Sequence, residues 1–138
     1  MNKEIFINLP VKDLNKTKNF FTKLGFSFNP QFTNDDAACM VISDNIFSML
    51  ITEKFFKQFT SKEISNAGNS TEVIVSLSVE SREIVDKLVN DALNAGAIAN
   101  VKPIEDTWMY VKSFQDLDGH IWEIFHMDMS KMPQDVHQ

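Results

Sequence analysis

Asp116-Leu117-Asp118-Gly119-His120-Ile121-Trp122-Glu123 reads as a turn running into a strand, and this stretch decides the fold. Asp118-Gly119 is a strong two-residue hairpin signal, and Asp116 and Asp118 are turn residues. Behind the turn, residues 120–127 alternate. Glu123 points to one side, while His120, Trp122, Ile124 and His126 point to the other. Ahead of it, residues 108–114 form the partner run, with Trp108 and Tyr110 on one face.

Working outward, residues 97–101 give another strand-like run, and Gly96 before them ends a helix. Ser81 caps that helix, and Ile84, Val85, Leu88, Val89, Ala92 and Leu93 recur at helical spacing. Residues 72–79 precede it with strict alternation. Val73, Val75, Leu77 and Val79 share one face; Glu72, Ile74, Ser76 and Ser78 share the other. The order is β-α-β-β-β.

The first half repeats it. Residues 5–11 alternate, with Ile5, Ile7, Leu9 and Val11 opposite Phe6 and Asn8. Asp13 caps a helix over 14–24 whose apolar stripe is Leu14, Phe20, Phe21 and Leu24, and Gly25 stops it. Strand-like runs follow at 26–32, 37–43 and 46–52, with Asp44-Asn45 as a tight turn between the last two. The expected organisation is one domain over 1–138. Module one covers about 4–52, a connector 53–70, module two about 71–128, and a loose tail 129–138 that includes His137. Phe55, Phe56 and Phe59 suggest a short connector helix with one apolar face. If each first strand packs its odd-numbered residues on its helix, the other face is left concave. Two such units then enclose a cavity into which Phe6, Asn8, Glu72, Ile74 and Ser76 point.

Composition narrows the function. A net charge of −6 argues against nucleic-acid binding, which needs clustered Lys and Arg, and fits a small or cationic partner. Twelve Phe against one Tyr predict a ring-rich core or interface. Cys39, the only cysteine, lies in the apolar run 37–42 and reads as a buried structural thiol. The N-terminal residues show neither a signal peptide nor a membrane span, which gives the cytoplasm as the expected location.

Two motifs carry a resemblance. Asn8-Leu9-Pro10-Val11-Lys12-Asp13-Leu14, continuing to Phe20-Phe21 and Leu24-Gly25-Phe26, resembles the opening strand and helix of the vicinal oxygen chelate superfamily. Residues 116–123 resemble its closing hairpin, where an Asp-Pro-Asp-Gly turn leads to a metal-binding Glu. The resemblance covers nearly the whole chain. It implies an α+β fold of two β-α-β-β-β modules forming a curled mixed sheet around a cavity, the glyoxalase/bleomycin-resistance/dioxygenase fold. Small bacterial lactoylglutathione lyase-like proteins are the most similar subgroup.

The same resemblance implies four metal-ligand positions, which fall on Phe6, Met49, Ile74 and Glu123. Only Glu123 suits a hard or borderline divalent metal; Phe and Ile cannot coordinate, and a thioether is soft. A two-residue slip preserves strand parity and offers Asn8 and Glu72 with Glu123 as an alternative Mg²⁺ or Mn²⁺ set. Two functions therefore compete. One is a small-molecule binder resembling bleomycin-resistance proteins, a homodimer with no tightly bound metal. The other is a metal-dependent lyase, isomerase or dioxygenase-like enzyme using Glu123. For the binder, Glu72, Glu123, Trp108 and Tyr110 lining the cavity imply a negative pocket with flat walls, suited to a planar cation.

Overall fold

The computed structural model describes residues 2–133, which form two compact units divided between Asn66 and Ala67.

In the first unit, β1 (Ile5–Val11) runs parallel to β4 (Ile46–Thr52). β3 (Ala37–Ser43) and β2 (Ser27–Asn29) complete an antiparallel extension, giving the order β1-β4-β3-β2. Helix α1 (Leu14–Lys23) begins where the Asp13 carboxylate accepts a hydrogen bond from the Lys16 amide. It buries Leu14, Thr17, Phe20 and Phe21. Phe21 is fully buried, with its ring edge-on to both Phe20 and Phe26. Gly25 takes a φ of 99°, a left-handed conformation that turns the chain out of the helix. Leu9 and Val11 of β1 are buried, as the odd-numbered pattern predicted. The run expected over 26–32 is shorter than its apolar content suggested. β2 stops at Asn29, whose side chain caps a single 3₁₀ turn, Pro30–Phe32. Pro30 has no amide to continue the ladder. Cys39 is completely buried, and that burial raises its thiol pKa, with Glu4 adding in the same direction. After β4 comes a one-turn helix, α2 (Glu53–Phe56), capped by Thr52. Phe55 meets Phe59 edge-on at 5.2 Å between ring centroids.

In the second unit, β5 (Ile74–Ser78) runs parallel to β9 (Ile121–Met127), which pairs antiparallel with β8 (Met109–Gln115). Two short strands, β6 (Ile98–Ala99) and β7 (Ile104–Glu105), both pair with β8. β7 was not anticipated, because two residues carry no readable alternation. Helix α3 (Arg82–Asn94) is capped by Ser81, packs on β8 and β9, and buries Val85, Val89 and Ala92. The tight turn expected at Asp118-Gly119 is present but one residue longer: the Asp116 amide donates to the His120 carbonyl at 2.9 Å and the Gly119 amide to the Asp116 carbonyl at 3.0 Å, closing a three-residue loop over 117–119. The buried Asp116 organises it: Oδ1 accepts the amides of Asp118 and His120, and Oδ2 accepts the Trp122 indole N–H. The side chain adds three accepted bonds to the two that the backbone makes across the turn. Residues 129–131, expected to be loose, form a 3₁₀ turn capped by Asp128, while His137 lies outside the described residues.

Each unit is thus a mixed sheet with its longer helix on one face. Among the described residues no helix is long and apolar enough to cross a membrane.

Candidate functional site

Strand parity sorts the side chains of each sheet into a helix face and an uncovered face. In the first unit, register places Phe6 beside Phe47 and Asn8 beside Met49 on the uncovered face. The Phe6 and Phe47 rings stack at 4.7 Å and 13° between planes. The Asn8 amide donates to the Phe6 carbonyl at 3.4 Å, a bond within its own strand. Ser48, on the helix face, is fully buried and donates to the Ile7 carbonyl.

In the second unit the uncovered face holds Ile74 and Ser76 of β5, Glu123 of β9 and Ser113 of β8. Ser76 and Ser113 sit on either side of Glu123 in register. Ser76 Oγ donates to Glu123 Oε1 at 2.8 Å. Ser113 Oγ accepts from Asn100 Nδ2 at 3.1 Å, and Asn100 Oδ1 accepts from Gln115 Nε2 at 3.4 Å.

Three expected site residues stand elsewhere. Glu72 is exposed and lies two residues ahead of β5, so no strand register aims it. Tyr110 lies opposite His126, on the helix face. It is buried there, with its hydroxyl donating to Asp86 of α3 at 2.6 Å. Lys112 meets the same Asp86 oxygen at 2.6 Å, and Arg82 lies 5.0 Å above the Tyr110 ring. The bonds from Lys112 and then Tyr110 lower the Asp86 pKa, and the bond to Asp86 raises that of Tyr110. This cluster fastens α3 to β8. Trp108 precedes β8 and lines a separate open groove of about 500 Å³ at the start of α3, with Arg82, His126, Asp128 and Lys131. Of the four residues expected to line a flat, doubly acidic pocket, Glu123 is on the uncovered face, while Glu72, Trp108 and Tyr110 are not placed there by strand register. Tyr110 stands three positions from Ser113, and in an alternating strand an odd separation puts the two on opposite faces.

Sequence reasoning missed Phe47, Ser113, Asn100 and Gln115. Phe47 was legible as the parity mate of Met49, and Ser113 as the residue that the hairpin sets opposite Glu123. Asn100 has no such signal, since its side chain reaches β8 from the loop between β6 and β7.

The donor set at the four expected ligand positions does not fit a divalent metal. Phe6 is stacked on Phe47, Met49 offers a thioether, Ile74 offers no donor, and Glu123 is hydrogen-bonded to Ser76. Among the described residues no group of three or more His, Cys, Asp or Glu converges as a metal site would require.

Two units of this element order, each a mixed open sheet with a helix on one face, define the glyoxalase/bleomycin-resistance/dioxygenase fold of the vicinal oxygen chelate superfamily. Solved structures agree. A glyoxalase/bleomycin resistance protein/dioxygenase family enzyme from Burkholderia phytofirmans matches with a TM-score of 0.76 and 19% identity, over 92% of this chain and 100% of that one. Fosfomycin resistance protein FosX from Mesorhizobium loti matches with a TM-score of 0.68 at 10% identity, over 95% and 97% of the two chains. A hypothetical protein from S. aureus, SA1046, is 31% identical over 91% of this chain and 95% of its own, with a TM-score of 0.76. The family model for the bleomycin resistance protein-like N-terminal region matches residues 3–43. No curated protein matches. The chain belongs to the glyoxalase/bleomycin-resistance-like family, with the S. aureus protein as a relative.

Proposed function

We propose that this protein binds a small organic molecule on the uncovered faces of its sheets and holds no divalent metal tightly. One observation carries the reading: of the four positions where the superfamily places metal ligands, only Glu123 is a donor suited to such an ion, and one of its oxygens already accepts from Ser76. The uncovered faces instead offer an aromatic pair, Phe6 and Phe47, and a polar row around Glu123. Apolar surface with a few placed polar groups is what a small-molecule site needs. The reading includes a symmetric homodimer located in the cytoplasm, with Phe59 of the connector, 66% exposed in the single chain, as part of the surface to be covered.

The competing reading is an enzyme of the lyase, isomerase or dioxygenase type working through a metal on Glu123. Metal analysis of protein purified without chelator separates the two. We expect no stoichiometric Zn²⁺ or Ni²⁺ and no lactoylglutathione lyase turnover. Stoichiometric metal that is lost in Glu123→Gln would overturn the binding reading.

A further inference from the structure

The uncovered face around Glu123 carries a directed set of hydrogen bonds. On one side, Ser76 Oγ donates to Glu123 Oε1 at 2.8 Å, which fixes the carboxylate. Glu123 Oε2 accepts no hydrogen bond among the described residues. On the other side, Gln115 donates to Asn100, and Asn100 donates to Ser113 Oγ. A hydroxyl that already accepts in this way keeps its hydrogen to give. Ser113, itself only 9% exposed, is the direct cross-strand neighbour of Glu123. Side chains so paired start about 5 Å apart, close enough to grip two atoms of one functional group. The face thus presents a free anionic acceptor beside a free O–H donor. Ile74 and Ile121, paired one step along the same face, supply an apolar floor.

The charge of the chain is unevenly spread in the same sense. Residues 67–138 contain twelve Asp and Glu against five Lys and Arg; residues 1–66 contain seven against eight. The field over the second unit therefore draws cations and repels anions.

We infer that this face is an amine subsite that takes a ligand with an ammonium group next to a carbonyl, the pattern of an α-amino amide. Glu123 Oε2 accepts from the ammonium and Ser113 donates to the carbonyl oxygen. Ser76 acts as a positioning residue that holds Glu123 in place. The inference rests on the small-molecule reading above and adds the ligand class, a positioning residue, Ser76, and a specificity-determining residue, Ser113.

The test is calorimetric titration of the full chain with four probes that share a phenyl ring. Phenylalaninamide has both groups, phenethylamine lacks the carbonyl, 3-phenylpropionamide lacks the ammonium, and 3-phenylpropionate is an anion. Phenylalaninamide should bind most tightly and 3-phenylpropionate least. Ser76→Ala should weaken both amines by about tenfold or more, the scale of a hydrogen bond to a charged group, and Ser76→Thr should restore them. Ser113→Ala should weaken phenylalaninamide roughly 3- to 10-fold, as for a neutral hydrogen bond, and leave phenethylamine unchanged. Ser113→Ala is read as the ratio of the two amines, and Ser76→Ala as the ratio of each amine to 3-phenylpropionamide, so partial loss of folded protein does not mimic either result. Equal or tighter binding of the neutral or anionic probe, insensitive to Glu123→Gln, overturns the inference and leaves small-molecule binding standing. Loss of both amines to the same degree in Ser113→Ala overturns the role of Ser113. Failure of either amine to bind the wild type at millimolar concentration also overturns the inference, while the metal analysis separately decides the reading beneath it.

Discussion

Asp116 shows how one side chain sets the start of the strand that carries Glu123. Its two oxygens take three N–H donors, the last from the fully buried Trp122, the residue before Glu123. Asp116→Asn keeps an acceptor for the backbone amides but turns an NH₂ toward the indole N–H. Leaving that donor unpaired should cost about 1–3 kcal/mol. Urea unfolding of Asp116→Asn, Trp122→Phe and the double variant checks this: the double variant should be more stable than the sum of the two losses implies. The pH dependence has a definite sign. Burial raises the Asp116 pKa above its ordinary 3.8. A raised folded-state pKa gives stability that is complete below the ordinary value and is lost as pH rises through the raised one. The stability gap between wild type and Asp116→Asn should therefore narrow as pH rises from acid toward neutral. A gap that widens over that range would show that the three donors outweigh the burial.

Elements begin and end here on individual residues, and the turns are less forgiving than the caps. Ser81→Ala removes the acceptor for the Ile84 amide and should destabilise by about 1 kcal/mol, the usual value of an N-cap. Gly25 and Gly119 both hold left-handed φ angles, 99° and 92°. A Cβ at Gly25 meets nothing within 4 Å, so Gly25→Ala bears only the backbone strain, about 1–2 kcal/mol. A Cβ at Gly119 would lie 2.7 Å from the Ala67 carbonyl oxygen, a backbone atom that cannot swing aside. Gly119→Ala should therefore lower the melting temperature clearly more than Gly25→Ala. Equal shifts would mean that the loop from Asp116 to His120 moves freely against residues 67–68.

For the whole molecule, the expected assembly is a homodimer at micromolar concentration, measured by light scattering; a monomer there would remove that part of the functional reading. Binding of an amine should weaken as salt rises, because the acidic second half attracts it over distances that salt screens to about 10 Å at 0.1 M. Salt-independent affinity would place the ligand away from that half.

The sequence by itself determined the repeated β-α-β-β-β order, the caps at Asp13 and Ser81, and the faces of β1, β5 and β9. All of these follow from local periodicity, since a helix or strand must turn its apolar residues one way whatever it packs on. The same parity puts Phe6 and Ile74 at two of the positions that the resemblance implies for metal ligands, and neither side chain can coordinate a metal. What only the tertiary structure decided was contact across strands and between strand and helix. Tyr110 is a tie to Asp86 and not a ligand wall, because α3 covers that face of β8. Glu72 falls outside its strand, because β5 starts at Ile74. Glu123 gains Ser76 and, through Ser113, Asn100 as neighbours, because the register β5-β9-β8 and a side chain from the loop before β7 bring together residues up to 47 positions apart. Periodicity records which way a side chain points; it carries no information about what will be waiting there.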